Sequence, residues 1–499
     1  MKLLTIIAAF LPLQLLAQLQ LAPIFSDNMV LQRNQPVHVW GKAKPGDEIS
    51  ASFYNEQFQA IAGVDSAWSI VLKKYAADSQ PQQLTISSSR ETIVIKNILI
   101  GDVWVCIGQS NMEWPMKSEL HYKQQVNTAQ IPALRYFNPT YAGKNIYATT
   151  FPDTIAARLT AKDFYKGEWQ SSDSNTFKTM SAVAWYFGKS ILAETGVPQG
   201  LINLAIGGAP LETFISADVL KQHPLFSAKV NGNWLNNAAL PVWIKQRGKE
   251  NVGALTNVPA DAMGKNHGYK PGFAFTAGIE PILPMPVKGI ICYQGESNAQ
   301  ETERVAEYDD LQELLVKDYR SRWKNPALPF YYVQLSSIDT IRYKGQLWPQ
   351  FRDEQRKFLD RMPYTGMAVS SDIGDPVSVH PLNKKDVGER LARWALHSLY
   401  KKKIIPSGPL PVKAVFRGDN VEVYFKYAGK GLITSNQVPL KGFTTDTDQH
   451  PAATIRGNKV IITTNRKPRI VCYGWSPYTD ANLVNAGKLP ASTFRMEVE

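Results

Sequence analysis

The sequence predicts an α/β protein in which a parallel sheet covered by helices is flanked by a β-sandwich-like region on each side. Strand and helix patterns alternate from about residue 99 to residue 404, which is typical of a parallel sheet with helices on both faces. Residues 19–98 instead alternate apolar and polar side chains, and the same alternation returns over residues 405–499. We therefore expect a three-layer α/β/α central domain between two β domains.

The first region, residues 19–98, contains four clear strand patterns separated by turn residues. The predicted strands cover residues 36–41, 48–54, 68–72 and 83–86. The first two are separated by the turn sequence Lys44-Pro45-Gly46-Asp47. Residues 420–425 and 459–464 show the same alternation and predict strands of the C-terminal β domain.

The central region alternates strands with helices along its length. The predicted strands cover residues 101–107, 200–206, 287–293, 328–335 and 366–371. The predicted helices cover residues 181–194, 302–323, 350–361 and 383–399. Residues 214–278 follow neither the strand period nor the helix period and are rich in Asn, Gly and Pro. We therefore expect a long insertion over the active face of the sheet.

The composition is that of a folded protein and excludes several classes of partner. Of the 499 residues, 44% are hydrophobic and 20% are charged. The net charge is +12, but no arginine-rich patch or nucleic-acid motif accompanies it, so we expect no nucleic-acid partner. No His and Cys residues show metal-ligand spacing, and we expect neither a metal nor a cofactor. The three cysteines are too few for a disulfide framework.

Residues 1–17 have the pattern of a secretory signal peptide. Lys2 precedes an apolar segment, and the small residue Ala17 lies at the expected cleavage site. No later segment reaches the roughly 18 uncharged apolar residues that a membrane-spanning helix needs. We therefore expect an exported protein, periplasmic or extracellular, without a membrane span.

Ser110 is the first candidate catalytic residue, because it directly follows the first strand of the central region. The segment Gly108-Gln109-Ser110-Asn111 begins with a glycine that permits a sharp turn. The carboxyl ends of parallel strands are where open α/β sheets gather their functional groups. A serine at this position is either the cap of the next helix or a nucleophile, and the segment alone does not decide between them.

Polar or flexible groups follow three further predicted strands. They are Gly207 and Gly208, then Gln294, Glu296 and Asn298, and finally Asp372, Asp375 and His380. Each group has a structural alternative: a tight turn for the glycines, a helix cap for Glu296, and a packing role for His380. All would lie at one edge of a parallel sheet, so we expect a hydroxyl, N–H donors, amides, carboxylates and an imidazole in one crevice.

These motifs resemble those of the sialate O-acetylesterases, within the SGNH/GDSL hydrolase superfamily. The resemblance is carried by residues 108–112, by residues 294–298 and by His380-Pro381. Further similarities at residues 25–32, 473–475, 482–483 and 489–495 extend it over nearly the whole chain after the signal peptide. It implies an SGNH-type catalytic domain and a serine esterase that removes acetyl groups from sugars, typically from O-acetylated sialic acid, without a metal.

The resemblance also implies a role for each motif residue. Ser110 is expected to be the nucleophile and His380 the general base and then the general acid, because a serine hydroxyl is inert near neutral pH without a base. Backbone and amide donors are expected to stabilise the oxyanion, each contributing roughly 10²–10³ in rate. The implied oxyanion and substrate-binding groups are the Ser110 N–H, Gly207, Gly208, Gln294, Asn298, Glu296, Gln109 and Asn111.

The chain departs from the family at the acid that orients the histidine. Members of the superfamily often carry Asp three residues before the histidine, and many relatives carry it two residues before. Here Val377 and Ser378 occupy those positions. The acid is therefore expected to be Asp375, which is nearer in sequence, or Asp372, or else the site is a Ser-His dyad.

Two other functions stay open from the sequence. The same chemistry would serve an esterase for acetylated polysaccharides such as xylan. A non-catalytic glycan-binding protein would instead use the β regions and the aromatic side chains, of which there are 12 Trp, 21 Tyr and 20 Phe. The sequence predicts neither the oligomeric state nor the sugar hydroxyl that carries the acetyl group.

Overall fold

The main feature of the computed structural model, which describes residues 18–499, is a sheet of eleven strands built mostly from the middle of the chain. The predicted signal peptide, residues 1–17, lies outside the described residues. Among the helices of the described part, none is long and apolar enough to cross a membrane. Cys106, Cys292 and Cys472 are free and buried.

The N-terminal region is built from short strands, most of them antiparallel to their neighbours. They are β1 (Gln20–Leu21), β2 (Val30–Gln32), β3 (Pro36–Lys42), β4 (Glu48–Phe53), β5 (Glu56–Ile61), β6 (Ala67–Lys74) and β7 (Asp78–Ser87). Strands β1, β3 and β6 form one small sheet, and β2, β4, β5 and β7 extend the large sheet. The strands predicted for this region correspond to β3, β4, β6 and β7.

The long strand β8 (Thr92–Gly108) connects this region to the central sheet. Its first half pairs antiparallel with β7, and its second half runs parallel to central strands. Exposed and buried residues alternate in the first half, whereas every residue from Ile98 onward is buried. That change is expected where a strand passes from a sheet with one solvated face into one covered on both faces. The predicted boundary between residues 98 and 99 thus falls inside one strand.

Ten further strands precede the C-terminal region. They are β9 (Ile131–Phe137), β10 (Thr140–Tyr141), β11 (Tyr165–Lys166), β12 (Trp169–Ser172), β13 (Gln199–Asn203), β14 (Ala260–Asp261), β15 (Gly264–Lys265), β16 (Gly289–Tyr293), β17 (Phe330–Gln334) and β18 (Thr365–Val369). The order in the central sheet is β12-β9-β13-β8-β16-β17-β18. All neighbours in it are parallel except β12 and β9. The predicted mixed α/β architecture is therefore confirmed.

The helices connect these strands. They are α1 (Ser110–Glu113), α2 (Tyr122–Gln125), α3 (Asp153–Ala156), α4 (Ala182–Thr195), α5 (Ala217–Gln222), α6 (Val242–Gly248), α7 (Thr302–Ala306), α8 (Tyr308–Arg322), α9 (Trp348–Arg361) and α10 (Lys385–Ser398). Ser181 caps α4 by accepting a hydrogen bond from Ala184 N, and Gly196 ends it in the left-handed conformation. The helix predicted over residues 302–323 is interrupted at Glu307, so that it forms α7 and α8.

The C-terminal region is all β. Its strands are β19 (Leu410–Arg417), β20 (Asn420–Lys426), β21 (Leu432–Thr434), β22 (Phe443–Thr445), β23 (Ala453–Arg456), β24 (Lys459–Thr463), β25 (Ile470–Tyr473), β26 (Leu483–Asn485) and β27 (Phe494–Glu497). These strands enclose a hydrophobic cluster of their own. By contrast, the N-terminal and central regions share a single cluster.

Candidate active site

Ser110 and His380 meet at the carboxyl edge of the central sheet, although 270 residues separate them. The Nε2 atom of His380 lies 2.8 Å from the Oγ atom of Ser110. Ser110 begins α1 directly after β8, which lies between β13 and β16. His380 lies in the loop between β18 and α10. A serine hydroxyl in hydrogen-bond contact with an imidazole is the arrangement of an activated nucleophile and its base.

Gly108 makes the turn that places Ser110 at this edge. Its φ angle is +133°, in a region that side chains disfavour. A Cβ atom at this position would lie 2.1 Å from the carbonyl oxygen of Tyr293 on the neighbouring strand. Gln109 N then donates to the same carbonyl at 3.0 Å, which holds the turn against β16.

The ring of His380 is held by packing and by its own loop. Trp114 stacks on it, with ring centroids 5.1 Å apart and an interplanar angle of 23°. The Oγ atom of Ser378 accepts a hydrogen bond from His380 N at 3.1 Å. Burial, and then the positive charge of Lys384, lower the pKa of His380 to about 4. The imidazole is thus neutral, and able to accept a proton, throughout the neutral range.

Neither of the two expected acids reaches His380. The Oδ1 atom of Asp375 accepts hydrogen bonds from Val377 N at 2.8 Å and from Ser378 N at 2.9 Å, so this carboxylate caps a local turn. Asp372 forms a two-bond ion pair with Arg390, at 2.7 and 2.8 Å. No carboxylate within residues 18–499 hydrogen-bonds the His380 ring. The structure therefore brings the predicted nucleophile and base together without an orienting acid.

The turn Gly207-Gly208 lies beside the end of β8. Leu204 N donates to Cys106 O at 2.9 Å, and Ile206 N donates to Gly108 O at 3.0 Å, so the chain after β13 continues along β8. The N–H of Gly207 is bonded to the Oη atom of Tyr141 at 3.0 Å. The N–H of Gly208 has no partner in the described part of the chain. Of the two glycines, Gly208 is thus the one whose N–H is free within residues 18–499.

The predicted amide donors Gln294 and Asn298 are engaged with neighbouring loops. Gln294 Nε2 donates to Asn298 Oδ1 at 2.8 Å, and its Oε1 accepts from the Tyr308 hydroxyl at 2.8 Å. Asn298 Nδ2 donates to Glu212 Oε2 at 3.0 Å. Both side chains are buried. They support the loop after β16 rather than presenting free N–H groups to a ligand.

Gln109, unlike Gln294 and Asn298, has a side-chain amide with both N–H groups free in the described part of the chain. Its Oε1 atom accepts from Ser297 N at 3.1 Å and from Gln294 Nε2 at 3.2 Å, which fixes the direction of the amide. Its Nε2 atom, in consequence, points away from these donors and bonds to no residue among 18–499. Gln109 directly precedes Ser110 in the chain, at the same end of β8.

Asn111 connects three elements behind the Ser110–His380 pair. Its Nδ2 atom donates to Glu296 Oε1 and, at 2.9 Å, to the carbonyl oxygen of Val379. The Nζ atom of Lys384 donates to Asn111 Oδ1. Burial raises the pKa of Glu296, and burial lowers the pKa of Lys384. Lys384 was not singled out by the sequence, where it is one of two lysines at the start of a predicted helix.

The predicted insertion contributes side chains around the Gly207–Gly208 turn. The hydroxyl of Tyr269 donates to Gly207 O at 2.8 Å, and Trp243 Nε1 donates to Ser297 O at 3.4 Å. The insertion is anchored by buried Lys229, whose Nζ lies 3.0 Å from Glu212 Oε1 and 2.7 Å from Glu307 Oε1.

On the other side of the turn, the rim carries charged and aromatic groups. Glu113 pairs with Lys144 at 2.9 Å and accepts a hydrogen bond from Tyr141. Tyr147 is 54% exposed and lies against the guanidinium of Arg247. Within the described residues, no group of three His, Cys, Asp or Glu side chains is placed to hold a metal ion.

Comparison with known proteins connects this geometry to one family. Residues 275–397 match the family model of carbohydrate esterases described as sialic acid-specific acetylesterase. The sialate O-acetylesterase of Homo sapiens is 27% identical over 422 residues, which cover 79% of this chain and 73% of that protein. The Rattus norvegicus sialate O-acetylesterase is 26% identical over 421 residues, covering 78% and 75%.

A solved structure extends the match to almost the whole chain. The crystal structure of a carbohydrate acetylesterase from Xanthomonas citri superposes with a TM-score of 0.79 at 30% sequence identity. The alignment covers 96% of this chain and 99% of that one. With the motif residues gathered at one sheet edge, these similarities show that the chain belongs to the sialate O-acetylesterase family of carbohydrate esterases.

Proposed function

We propose that this esterase removes acetyl groups from O-acetylated sialic acid, with Ser110 as its nucleophile and His380 as its base. The observation that carries the proposal is the 2.8 Å contact between Ser110 Oγ and His380 Nε2 at the carboxyl edge of the sheet. The choice of sialic acid is supported by the family model and by the mammalian relatives, which are sialate O-acetylesterases.

The first half of the reaction transfers the acetyl group to the enzyme. His380 Nε2 takes the proton of the Ser110 hydroxyl as Oγ forms a bond to the acetyl carbonyl carbon. The resulting tetrahedral intermediate collapses, and the bond to the sugar oxygen breaks. The imidazolium of His380 donates its proton to that oxygen, so the sugar leaves as a neutral alcohol.

The second half returns the enzyme to its starting state. His380 accepts a proton from a water molecule, whose oxygen attacks the acetyl-Ser110 carbonyl carbon. The second tetrahedral intermediate collapses to acetic acid, and the proton held by His380 returns to Ser110 Oγ. The acid then releases its own proton to solvent and leaves as acetate. Each turnover therefore consumes one water and leaves His380 neutral.

Three donors beside Ser110 support an oxyanion hole. Ser110 is the first residue of α1, a position whose N–H has no partner within the helix. The N–H of Gly208 and the Nε2 of Gln109 complete the set, in place of the Gln294 and Asn298 amides. Donors of this kind stabilise negative charge that develops on the carbonyl oxygen in the transition state.

We further propose the finer layout that the sequence predicts. It is an SGNH-type three-layer domain over residues 99–404, between β domains at residues 19–98 and 405–499. The parallel order of the central strands and the separate core of the C-terminal region support it. Export to the periplasm or the extracellular space is proposed from the pattern of residues 1–17 alone.

The test is acetate release from a panel of substrates by the wild type and Ser110→Ala. We expect release from O-acetylated sialic acid and a loss of roughly 10⁴-fold or more in kcat for Ser110→Ala. Ser190→Ala, on the half-buried end of α4, is the control for the loss of a hydroxyl and should match the wild type. Equal rates for Ser110→Ala would refute the nucleophile. Faster release from acetyl-xylan than from acetyl-sialate would refute the substrate.

A further inference from the structure

We propose that Lys384, acting through Asn111, is a positioning residue that holds the base His380 against the nucleophile Ser110 where an orienting carboxylate is missing. This inference rests on the proposed roles of Ser110 and His380. It concerns a lysine that is 0% exposed and whose Nζ atom hydrogen-bonds Asn111 Oδ1 alone among residues 18–499.

The first step is that Asn111 joins the two halves of the catalytic pair. Asn111 follows Ser110 in the chain, and Val379 precedes His380. The 2.9 Å hydrogen bond from Asn111 Nδ2 to Val379 O therefore connects the helix of the nucleophile to the loop of the base, across 268 residues. A change in the direction of this one amide would alter the separation of Ser110 and His380.

The second step is that Lys384 and Glu296 fix the direction of that amide. The two N–H groups of Asn111 face two acceptors, the Glu296 carboxylate and Val379 O. Its oxygen faces the ammonium of Lys384. In the reversed orientation, the oxygen would face two acceptors and the NH₂ group would face a cation. Both contacts would then be repulsive, so Lys384 selects the productive orientation.

The third step concerns the electrostatic effect of a buried ammonium near the base. The Nζ atom of Lys384 lies 5.5 Å from the ring centre of Trp114, the side chain that stacks on His380. Burial lowers the pKa of Lys384 to about 7, so the lysine is positively charged in the acidic range where His380 titrates. In that range its charge opposes protonation of the imidazole, in the same direction as burial. A triad carboxylate would act in the opposite direction, because it favours the imidazolium.

Other ionisable groups face this site from each neighbouring element. Glu296 follows β16, and Glu119 accepts a hydrogen bond from Lys384 N at 3.3 Å. Tyr293 lies under the Lys384 ammonium, and His121 and Tyr186 both bond to Glu119. Both carboxylates oppose the lowering of the Lys384 pKa by burial, and neither of them hydrogen-bonds His380. Lys384 is the charge that acts on the base.

Two variants separate positioning from charge. Lys384→Met removes both the donor and the charge, whereas Lys384→Gln keeps an N–H donor for Asn111 without the charge. We expect Lys384→Met to lower kcat roughly 10- to 100-fold with little change in KM, since misplacement of about 1 Å has effects of this size. Lys384→Gln should recover much of that loss. Lys385→Met, at the next position and half-buried, is the matched control and should match the wild type.

The titration of His380 gives a readout that is independent of turnover. Its NMR resonance, assigned by comparison with His380→Gln, should titrate well below the ordinary pKa of about 6.5 in the wild type. Both Lys384 variants should raise that pKa. Because the base is active only when neutral, the acidic limb of kcat/KM should move to higher pH with it, and activity at pH 5 should fall relative to pH 8.

The outcomes distinguish this inference from the proposed function. An unchanged kcat together with an unchanged His380 titration in both variants would overturn the role of Lys384. Full activity of Ser110→Ala would instead remove the proposed nucleophile, while the NMR titration would still decide whether Lys384 acts on His380. A raised His380 pKa with the expected loss and recovery of kcat supports the inference.

Discussion

At the scale of single residues, the direction of the Gln109 amide leaves its N–H groups free for the proposed oxyanion hole. Gln109 and Gln294 are both buried glutamines at strand ends, yet their amides differ in their remaining hydrogen-bonding capacity. Gln294 is bonded at both ends, whereas Gln109 is held by its oxygen alone. The difference follows from Ser297 N and Gln294 Nε2, which both donate to Gln109 Oε1.

Substitution of Gln109 by glutamate tests its proposed role. Gln109→Glu keeps the Oε1 acceptor for Ser297 N but replaces the free N–H groups by a carboxylate oxygen that repels the oxyanion. We expect kcat for acetate release to fall by at least about 10²–10³, the effect of losing one donor. The midpoint of thermal unfolding of Gln109→Glu should stay close to that of the wild type. A kcat within a few-fold of the wild type would show that Gln109 does not contact the oxyanion.

The sequence predicts a functional residue where a neighbouring Gly or Pro constrains the backbone, and it does not do so where the residue type is ordinary for its position. Ser110 and His380 stand beside Gly108 and Pro381, which constrain the backbone, so their positions at strand ends could be inferred. Lys384 carries no such signal, because a lysine at a helix start is usually solvated. Proximity to His380 in the sequence favours Asp375 as the orienting acid. In the structure, a short turn offers its carboxylate two closer backbone donors.

At the scale of elements, the cap of α4 also supports α1, the helix that begins at Ser110. The Oγ atom of Ser181 accepts a hydrogen bond from Ala184 N at 3.2 Å and donates to the carbonyl oxygen of Met112 at 2.6 Å. Ser181 is fully buried, so neither bond is replaced by water when the hydroxyl is removed. One side chain thereby couples the start of α4 to the short α1.

Ser181→Ala should therefore cost stability and activity together. We expect a loss of about 2 kcal/mol in the free energy of unfolding, from one cap and one buried hydrogen bond. Urea titration measures this loss of stability. Acetate release, at a temperature where the variant is folded, measures the accompanying fall in kcat. Ser190→Ala on the same helix should be neutral in both. An unchanged unfolding midpoint for Ser181→Ala would contradict this account.

Long elements with strong periods could be predicted, and short or mixed ones could not. The predicted helices at residues 350–361 and 383–399 correspond closely to α9 and α10. Strand β9 and the edge strand β12 were not predicted, because they lie in a segment without a clear period. The break at Glu307 was also missed, since the apolar spacing continues through it. There Glu307 bonds Lys229 of the insertion, a contact that depends on tertiary structure.

At the scale of the whole molecule, the net charge of +12 favours the approach of an anionic sugar. Sialic acid carries a carboxylate, whereas acetylated xylan is uncharged. We expect KM for O-acetylated sialic acid to rise severalfold between low and high NaCl concentration, because salt screens long-range attraction. KM for a neutral acetyl ester should stay nearly constant in parallel assays. Equal salt dependence for both substrates would indicate that the charge does not act in substrate capture.

Because β8 runs through both the N-terminal and the central region, local unfolding of one region affects the other. Its amino-terminal half belongs to the N-terminal sheet, and its carboxyl end carries the turn to Ser110. A fluctuation that separates the N-terminal strands must loosen the same hydrogen-bonded strand that supports Ser110. The N-terminal and central regions are thus one cooperative unit, whereas the C-terminal region, with a core of its own, can exchange its amide hydrogens separately.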